Sequence, residues 1–463
     1  MVKNFQIHQV LNARQSRAIH WRDIFPHDTF TLKFNLMAST STSTEIHIDP
    51  SQGGNFRVPL AVVTMLFFMW GFLTCLNDIL VPHLKALFDL SYTEVMLIQF
   101  TFFTAYFIMS LPSGKVINMF GYQKGIVIGL LTAGVGTFLF YPAASVPSYP
   151  LFLTALFVLA SGITLLQVAA NPYVAVLGKP ETASSRLNLT QAFNSLGTTV
   201  APYFGGLFIL TTTMLSAEEM RALNPEQLQA YRLAEASSVQ MPYLGLGVAL
   251  VVLATAMATF KLPVIATVED HHAKAGKLTD ALKHRHLVLG AVAIFLYVGA
   301  EVSIGSFLVN FIGQPEIAGL KETVAAGFVS YYWGGAMVGR FIGSALLQKI
   351  NPGKLLGIFA LVTFGLTLTT VVTTGDTAMW TILSVGLFNS IMFPTIFTLG
   401  IDGLGKLTSQ GSSVLIMAIV GGAIVPVAQG ALADTFGIQT AFILPALCYL
   451  YIVYYGFIGS RHK

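Results

Sequence analysis

Between Gly125 and Gly178 the chain contains no Asp, Glu, Lys or Arg. A stretch this long cannot form the surface of a water-soluble domain. It is long enough for two helices that cross a bilayer, with a tight turn between them. Similar charge-free stretches run from Val58 to Asn77, Leu187 to Ala217, Ala236 to Phe260, Leu355 to Gly375, Thr377 to Ile401, Leu407 to Ala433 and Thr435 to Ser460. Backbone inside hydrocarbon must satisfy its own hydrogen bonds, so only helices or a closed barrel remain. Barrel strands read as weak alternating segments of about ten residues, unlike these runs. Composition agrees, with 10% charged residues and a mean hydropathy of +0.70. Soluble domains carry roughly 25% charge. The same figures exclude disorder and collagen-like repeats, and a net charge of +4 without a basic stripe excludes a nucleic-acid binder. Cys75 and Cys448 lie in apolar runs, so neither a disulfide framework nor a thiolate metal site is expected.

The fold class is therefore an all-α polytopic membrane protein. Counting runs between turn signals gives 12 transmembrane spans, near 58–83, 95–113, 124–142, 150–176, 188–212, 241–261, 287–312, 323–347, 354–373, 378–400, 410–431 and 438–458. With the N-terminus inside, 21 of the 25 Lys and Arg fall on the cytoplasmic side; Lys85, Arg221, Arg232 and Lys321 fall outside. This asymmetry predicts an even number of spans and two cytoplasmic termini. Residues 1–56 read as a disordered cytoplasmic tail without the apolar core of a secretory signal. Met37 opens a polar tract typical of a true start, so residues 1–36 are read as upstream sequence. Between spans 5 and 6, Ser216 to Glu219 reads as a capping box, and Asn224–Pro225 as an N-cap followed by proline at the first helical position. A charged linker, 263–286, then joins a bundle at 57–262 to a second at 287–459, and 460–463 form a short cytoplasmic tail.

The two bundles are copies of one pattern. Gly114-Lys115-x7-Gln123-Lys124 matches Gly339-Arg340-x7-Gln348-Lys349 at an offset of 225; Pro172-x5-Gly178 matches Pro394-x5-Gly400 at 222; Gly197-x4-Pro202-x3-Gly206 matches Gly421-x4-Pro426-x3-Gly430 at 224. Three matches in the same order with a nearly constant offset imply an internal repeat. Two six-helix bundles in the same orientation are pseudo-symmetric about an axis along the membrane normal. That is the major facilitator arrangement, with a substrate site at midplane between the halves. Gly114, Lys115, Gly339 and Arg340 are assigned to short cytoplasmic turns after spans 2 and 8. There, small residues and cations suit a gate latch, although positive-inside topology alone also places cations there.

Two acids fall inside spans, Asp78 in span 1 and Glu301 in span 7, separated by 223 residues. That separation matches the repeat, so they face each other across the cavity. Ionised in hydrocarbon, each costs several kcal/mol, which makes such groups proton carriers or buried acids satisfied by hydrogen bonds. Asp402, beyond a helix end and near Lys406, is read as structural. Only His83 is assigned near a span, so no histidine relay or metal cluster is expected. No P-loop, G-x-S-x-G or H-E-x-x-H is present.

Uncharged polar residues recur in the spans: Asn77, Gln99, Gln167, Asn171, Gln191, Asn194, Asn310 and Asn389. Tyr106, Tyr173, Tyr297, Tyr331, Tyr332 and Trp333 accompany them. Amides beside aromatic faces suit a neutral polyhydroxylated ligand such as a sugar, or else hold helices together. A drug exporter needs a greasier cavity, and an anion carrier needs buried cations.

FFMWGF through LNDIL, then LLQVAANPYVAVLG, RLNLTQAFNSLG, GRFIG, PTIFTLGIDGLG and GSS…GGAIVP resemble the fucose–galactose–glucose:proton symporters over residues 57–458. The resemblance implies a bacterial inner-membrane sugar transporter driven by protons. In the fucose branch two acids matter, one in span 1 and one in span 4. The first maps onto Asp78, whereas the second maps onto Gln167, which cannot titrate. The chain instead carries Glu301 where that branch has an amide, so the pattern is closer to the glucose/galactose branch, with N-acetylglucosamine a further possible substrate. The expected protein is a monomer without cofactor or metal, whose partners are a sugar, protons and the lipid bilayer. It is not expected to be an enzyme. The alternatives are a facilitative uniporter, an efflux carrier, or a non-transporting sensor, which ordinarily has a longer cytoplasmic tail.

Overall fold

The computed structural model describes residues 56–88, 92–146, 148–208, 222–238, 240–260, 262–263 and 277–461; within these, the side chains of 76–88, 92–96, 203–208, 229, 232, 234–238 and 322–323 lie outside the description. The tail before Phe56, the Ser216–Glu219 box, the side chain of His83 and linker residues 264–276 therefore lie outside the described residues. The regular structure within them is helical: α1 Arg57–Phe88, α2 Tyr92–Ser145, α3 Tyr149–Val176, α4 Ala183–Phe208, α5 Pro225–Ser238, α6 Gln240–Thr259, α7 Arg285–Ile312, α8 Glu322–Leu346, α9 Pro352–Val372, α10 Gly375–Asn389, α11 Met392–Ile401, α12 Thr408–Met417, α13 Gly421–Phe436 and α14 Ile443–Tyr454, with short single turns between some of them.

Among the described residues, 9 helical segments are long and apolar enough to cross a membrane. The longest, Leu97–Ser145, has 49 residues, far beyond the roughly 20 that one crossing requires. It is two helices meeting at Gly121, whose φ of 82° glycine adopts without steric cost. α4 and α8 are long enough, at 26 and 25 residues, but are not among the nine. Polar positions dilute them: Gln191, Asn194, Ser195 and Thr198 in α4, Ser330 and Arg340 in α8.

Local chemistry sets several ends. Asn224 Oδ1 accepts from the Gln227 amide at 2.8 Å while Gln227 Oε1 accepts from the Asn224 amide at 3.1 Å, a reciprocal cap that starts α5 at Pro225 as the sequence predicts. Asn351 caps α9 with a single bond, accepting from the Lys354 amide at 3.2 Å. Gln123, part of the repeated motif, donates to the Met257 and Phe260 carbonyls at 2.8 and 2.7 Å. It thereby satisfies carbonyls that the end of α6 leaves without helical partners.

Packing follows the repeat. α1 lies on α4 and α7 lies on α13. Gly197 and Gly421, 224 residues apart, make these approaches possible: a Cβ at either would overlap a backbone carbonyl oxygen, that of Phe68 or Phe295. α2 packs on α3 and α6, and α9 on α10 and α14.

The main pairings that join the earlier helices to the later ones are α4 with α8, α4 with α11, α2 with α12, and α3 with α12. They meet in a seam of hydroxyl and amide groups. Ser184 Oγ and Thr398 Oγ1 are 2.6 Å apart, Ser185 Oγ donates to the Ser344 carbonyl at 2.7 Å, and Ser344 Oγ returns a bond to the Ser185 carbonyl at 2.9 Å. Asn188 Nδ2 donates to Thr395 Oγ1 at 3.3 Å, Ser412 Oγ to the Val168 carbonyl at 2.9 Å, and Ser409 Oγ to Asn118 Oδ1. Ser185 and Ser409 are 224 residues apart, as are Asn188 and Ser412. The seam is therefore built twice from the same repeat.

Two sequence readings change here. Gly114, Lys115, Gly339 and Arg340 lie within α2 and α8, not in turns, because both helices continue past these glycines. A histidine assigned to no span, His286, is buried in the first turn of α7, with Nε2 3.0 Å from the carbonyl oxygen of Asp402, the residue that ends α11. Asp402 thus sits at a helix end, as expected.

Candidate functional site

A cavity of about 580 Å³ opens between α1 and α4 on one side and α7 and α8 on the other. α1 contributes Thr74 and Cys75; α4 contributes Asn194, Ser195, Thr198, Thr199 and Pro202; α7 contributes Glu301; α8 contributes Val329, Ser330, Trp333 and Arg340. The two helices too polar to register as apolar spans supply most of the wall. Their polarity is explained by what they face.

Glu301 is held from its own helix and from α8. Tyr297, one turn earlier, donates to Glu301 Oε1 at 2.7 Å. Tyr332 OH donates to the Glu301 carbonyl at 3.5 Å and accepts from Asn389 Nδ2 at 2.8 Å. The bond from Tyr297 fixes one carboxyl oxygen of Glu301 and leaves the other for the cavity. Trp333 lies edge-on to Tyr332, with ring centroids 5.0 Å apart, and remains 45% exposed. That gives the cavity an accessible aromatic face.

Arg340 is the cation of the site. Its Nε donates to the Ser390 carbonyl at 3.3 Å, and its Nη1 to the Gln191 carbonyl at 3.4 Å and to Ser195 Oγ. Two of these acceptors belong to α4, so the guanidinium reaches across the cavity from α8. Its charge also attracts the Glu301 carboxylate. No ion pair within 4 Å joins the two among the described residues.

Of the sequence-derived residues, the cavity collects Asn194, Glu301, Trp333 and Arg340. Asn194 also donates to the Phe67 carbonyl at 2.9 Å. Those others whose side chains are described lie outside the lining. Gln167 is buried and donates to Tyr106 OH at 2.6 Å. Gln191 is buried and enters through its carbonyl, not its amide side chain. Asn171 is fully buried, Asn389 binds Tyr332, Gln99 is half-buried and Asn310 is exposed. Asn77 and Asp78 lie on α1 two and three residues beyond Cys75, and their side chains are outside the described residues. Gly114 lies at the seam, where a Cβ would overlap Ser413, while Lys115 is exposed.

Ser195, Thr198, Thr199, Thr74 and Ser330 were not anticipated. Thr198 and Thr199 each donate to the Ser195 carbonyl at 2.8 Å, a local bond that hydroxyls make in many membrane helices. Only clustering with Asn194 at helical spacing could have signalled them.

Comparison with known proteins agrees with this architecture. The Major Facilitator Superfamily model matches residues 60–419. The glucose/galactose transporter of Brucella abortus biovar 1 (strain 9-941) is 57% identical over 427 residues, covering 92% of this chain and 100% of that protein. The L-fucose-proton symporter of Escherichia coli (strain K12) is 36% identical over 441 residues, covering 92% and 99%. A crystal structure of the transporter FucP in the outward conformation superposes with a TM-score of 0.83 at 35% identity, covering 88% of this chain and 100% of that one. The chain belongs to the major facilitator superfamily, and within its sugar transporters it lies closer to the glucose/galactose branch than to the fucose symporters.

Proposed function

We propose that the chain imports a neutral monosaccharide, of the glucose/galactose type or an N-acetylated amino sugar, together with a proton by alternating access. The observation that carries this reading is the cavity itself, which draws its wall from both copies of the repeat and whose described lining has one acid, one cation, one amide and one open aromatic face. Arg340 does not make it an anion site. Its charge is opposed by Glu301 when that acid is ionised, and its Nε and Nη1 donors are already bound to Ser390, Gln191 and Ser195.

In this reading the chain has twelve spans in two six-helix bundles, 57–262 and 287–459. Gly121 divides α2 into two crossings, and α4 and α8 are the two cavity-lining spans that hydropathy underrates. The seam around Ser184, Ser344 and Ser409 is the cytoplasmic gate, since the positive-inside distribution puts those helix ends inside. The gate is closed and the cavity faces outward, the conformation named for the similar FucP structure. Both termini are cytoplasmic, and the membrane is the bacterial inner membrane.

Asp78 and Glu301 titrate, while Asn194, Trp333 and the hydroxyls of α4 bind the sugar; Asn77 flanks Asp78, and Gln99, Gln167, Asn171, Gln191, Asn310 and Asn389 serve the site from outside its present wall. One proton entering down 100 mV supplies about 2.3 kcal/mol, equivalent to roughly 50-fold accumulation. Asp78→Asn and Glu301→Gln are expected to abolish accumulation but keep exchange of labelled for unlabelled sugar in proteoliposomes. Accumulation unchanged in both variants would sink the coupling assignment. A uniporter would exchange sugar and never concentrate it.

A further inference from the structure

A symporter must avoid one step above all: returning its protonated site inward without sugar, which would drain the proton gradient. Arg340 has the geometry to prevent it. It projects from α8 of the second half, and its Nη1 donates to the Gln191 carbonyl and to Ser195 Oγ on α4 of the first half. Ser185 and Ser344, on the same two helices, form part of the closed seam. The guanidinium thus ties together, from inside the cavity, the helices that must separate when the carrier turns inward.

Glu301 is the competing anion in the same cavity. Among the described residues, Tyr297 on α7 donates to its carboxylate, and Tyr332 and Arg340 on α8 and Tyr449 on α14 are near enough to interact with its charge. Arg340 is the one cation among them. When Glu301 is ionised it draws the guanidinium towards itself, since a charge-assisted bond is roughly twice as strong as a neutral one. When Glu301 is protonated that pull vanishes, and the donors go to α4 and Ser390. Sugar hydroxyls entering beside Ser195 are acceptors that can replace those of α4.

Resting on the symport reading, we propose that Arg340 is a positioning residue that keeps the protonated, sugar-free carrier facing outward, bridging α8 to α4 until the sugar supplies replacement acceptors. Loading then follows an order: proton, sugar, release of the bridge, and reorientation. Without the bridge, protons pass without sugar.

The test is proton entry into proteoliposomes containing a pH-sensitive dye, under an inward proton gradient, with no sugar present. Wild type stays tight, and Arg340→Gln, reconstituted to the same protein content and eluting as wild type does on size exclusion, leaks faster by a factor on the order of ten. Ser195→Ala, which removes one acceptor, leaks less but in the same direction, and Arg340→Lys partly restores tightness. If Arg340→Gln fails to fold, Ser195→Ala decides: a leak supports the bridge and tightness overturns it. Arg340→Gln and Ser195→Ala both as tight as wild type, with wild-type elution on size exclusion, overturn it as well. Should wild type itself move no protons with any sugar, the symport reading fails separately. The bridge is then read from Cys75, which lines the cavity. Slower labelling of Cys75 by an impermeant maleimide in Arg340→Gln than in wild type supports the bridge, and equal rates overturn it.

Discussion

At the level of single residues, transport depends on which polar groups face the cavity and which are already satisfied. Glu301 and Asn194 were legible because an acid or an amide inside an apolar run is costly. Ser195 and Thr198 were not, because a hydroxyl bonded to its own helix looks the same in sequence whether it faces lipid or ligand. Gln167 shows the opposite error: its bond to Tyr106 takes it out of the cavity wall. Trp333→Ala is expected to weaken sugar binding about tenfold, by removing the large aromatic face in the described lining, with protein yield unchanged; equilibrium binding of labelled sugar checks this. A contrasting expectation concerns Asp280, outside the spans. Lys283 donates to its Oδ1 at 2.8 Å and holds this exposed carboxyl below its ordinary range. The stabilisation from a lowered carboxyl is present above the unfolded value and is lost only as pH falls through the folded one. Asp280→Asn is therefore expected to leave the pH profile of uptake unchanged above about pH 5.

At the scale of elements, charge-free runs located most helices, and the exceptions have physical causes. α2 reads as one long helix because a single glycine, Gly121, makes the bend. Cations usually mark span ends, which by sequence puts the Gly-Lys and Gly-Arg motifs in turns, yet Arg340 lies inside the cavity. Glycine packing supplies a paired prediction. Gly197→Ala sets a Cβ against the Phe68 carbonyl and is expected to destabilise by about 1–3 kcal/mol, read as a lower melting temperature in detergent. Gly365→Ala, in α9 with nothing within 4 Å of its Cβ, is expected to be neutral or to stabilise by up to about 1 kcal/mol. Equal effects at the two sites would contradict the packing assigned to the repeat.

For the whole molecule, the repeat was the strongest signal in the sequence, and its offset recurs in contacts that no motif search would join, such as Ser185 with Ser344 and Ser409 with Asn118. The seam was invisible beforehand because it consists of short hydroxyl side chains instead of charge pairs. Bridging Ser184→Cys to Thr398→Cys, whose native oxygens are 2.6 Å apart, is expected to stop transport until the bridge is reduced. Uptake by the bridged protein would show that the seam is not the moving gate. The central claim, that sugar and proton move together, meets its most direct test in purified wild-type protein in liposomes with a pH dye inside and no imposed gradient. External glucose or galactose, or an N-acetylated amino sugar, is predicted to acidify the lumen as labelled sugar enters. Sugar entry with no acidification would contradict the account.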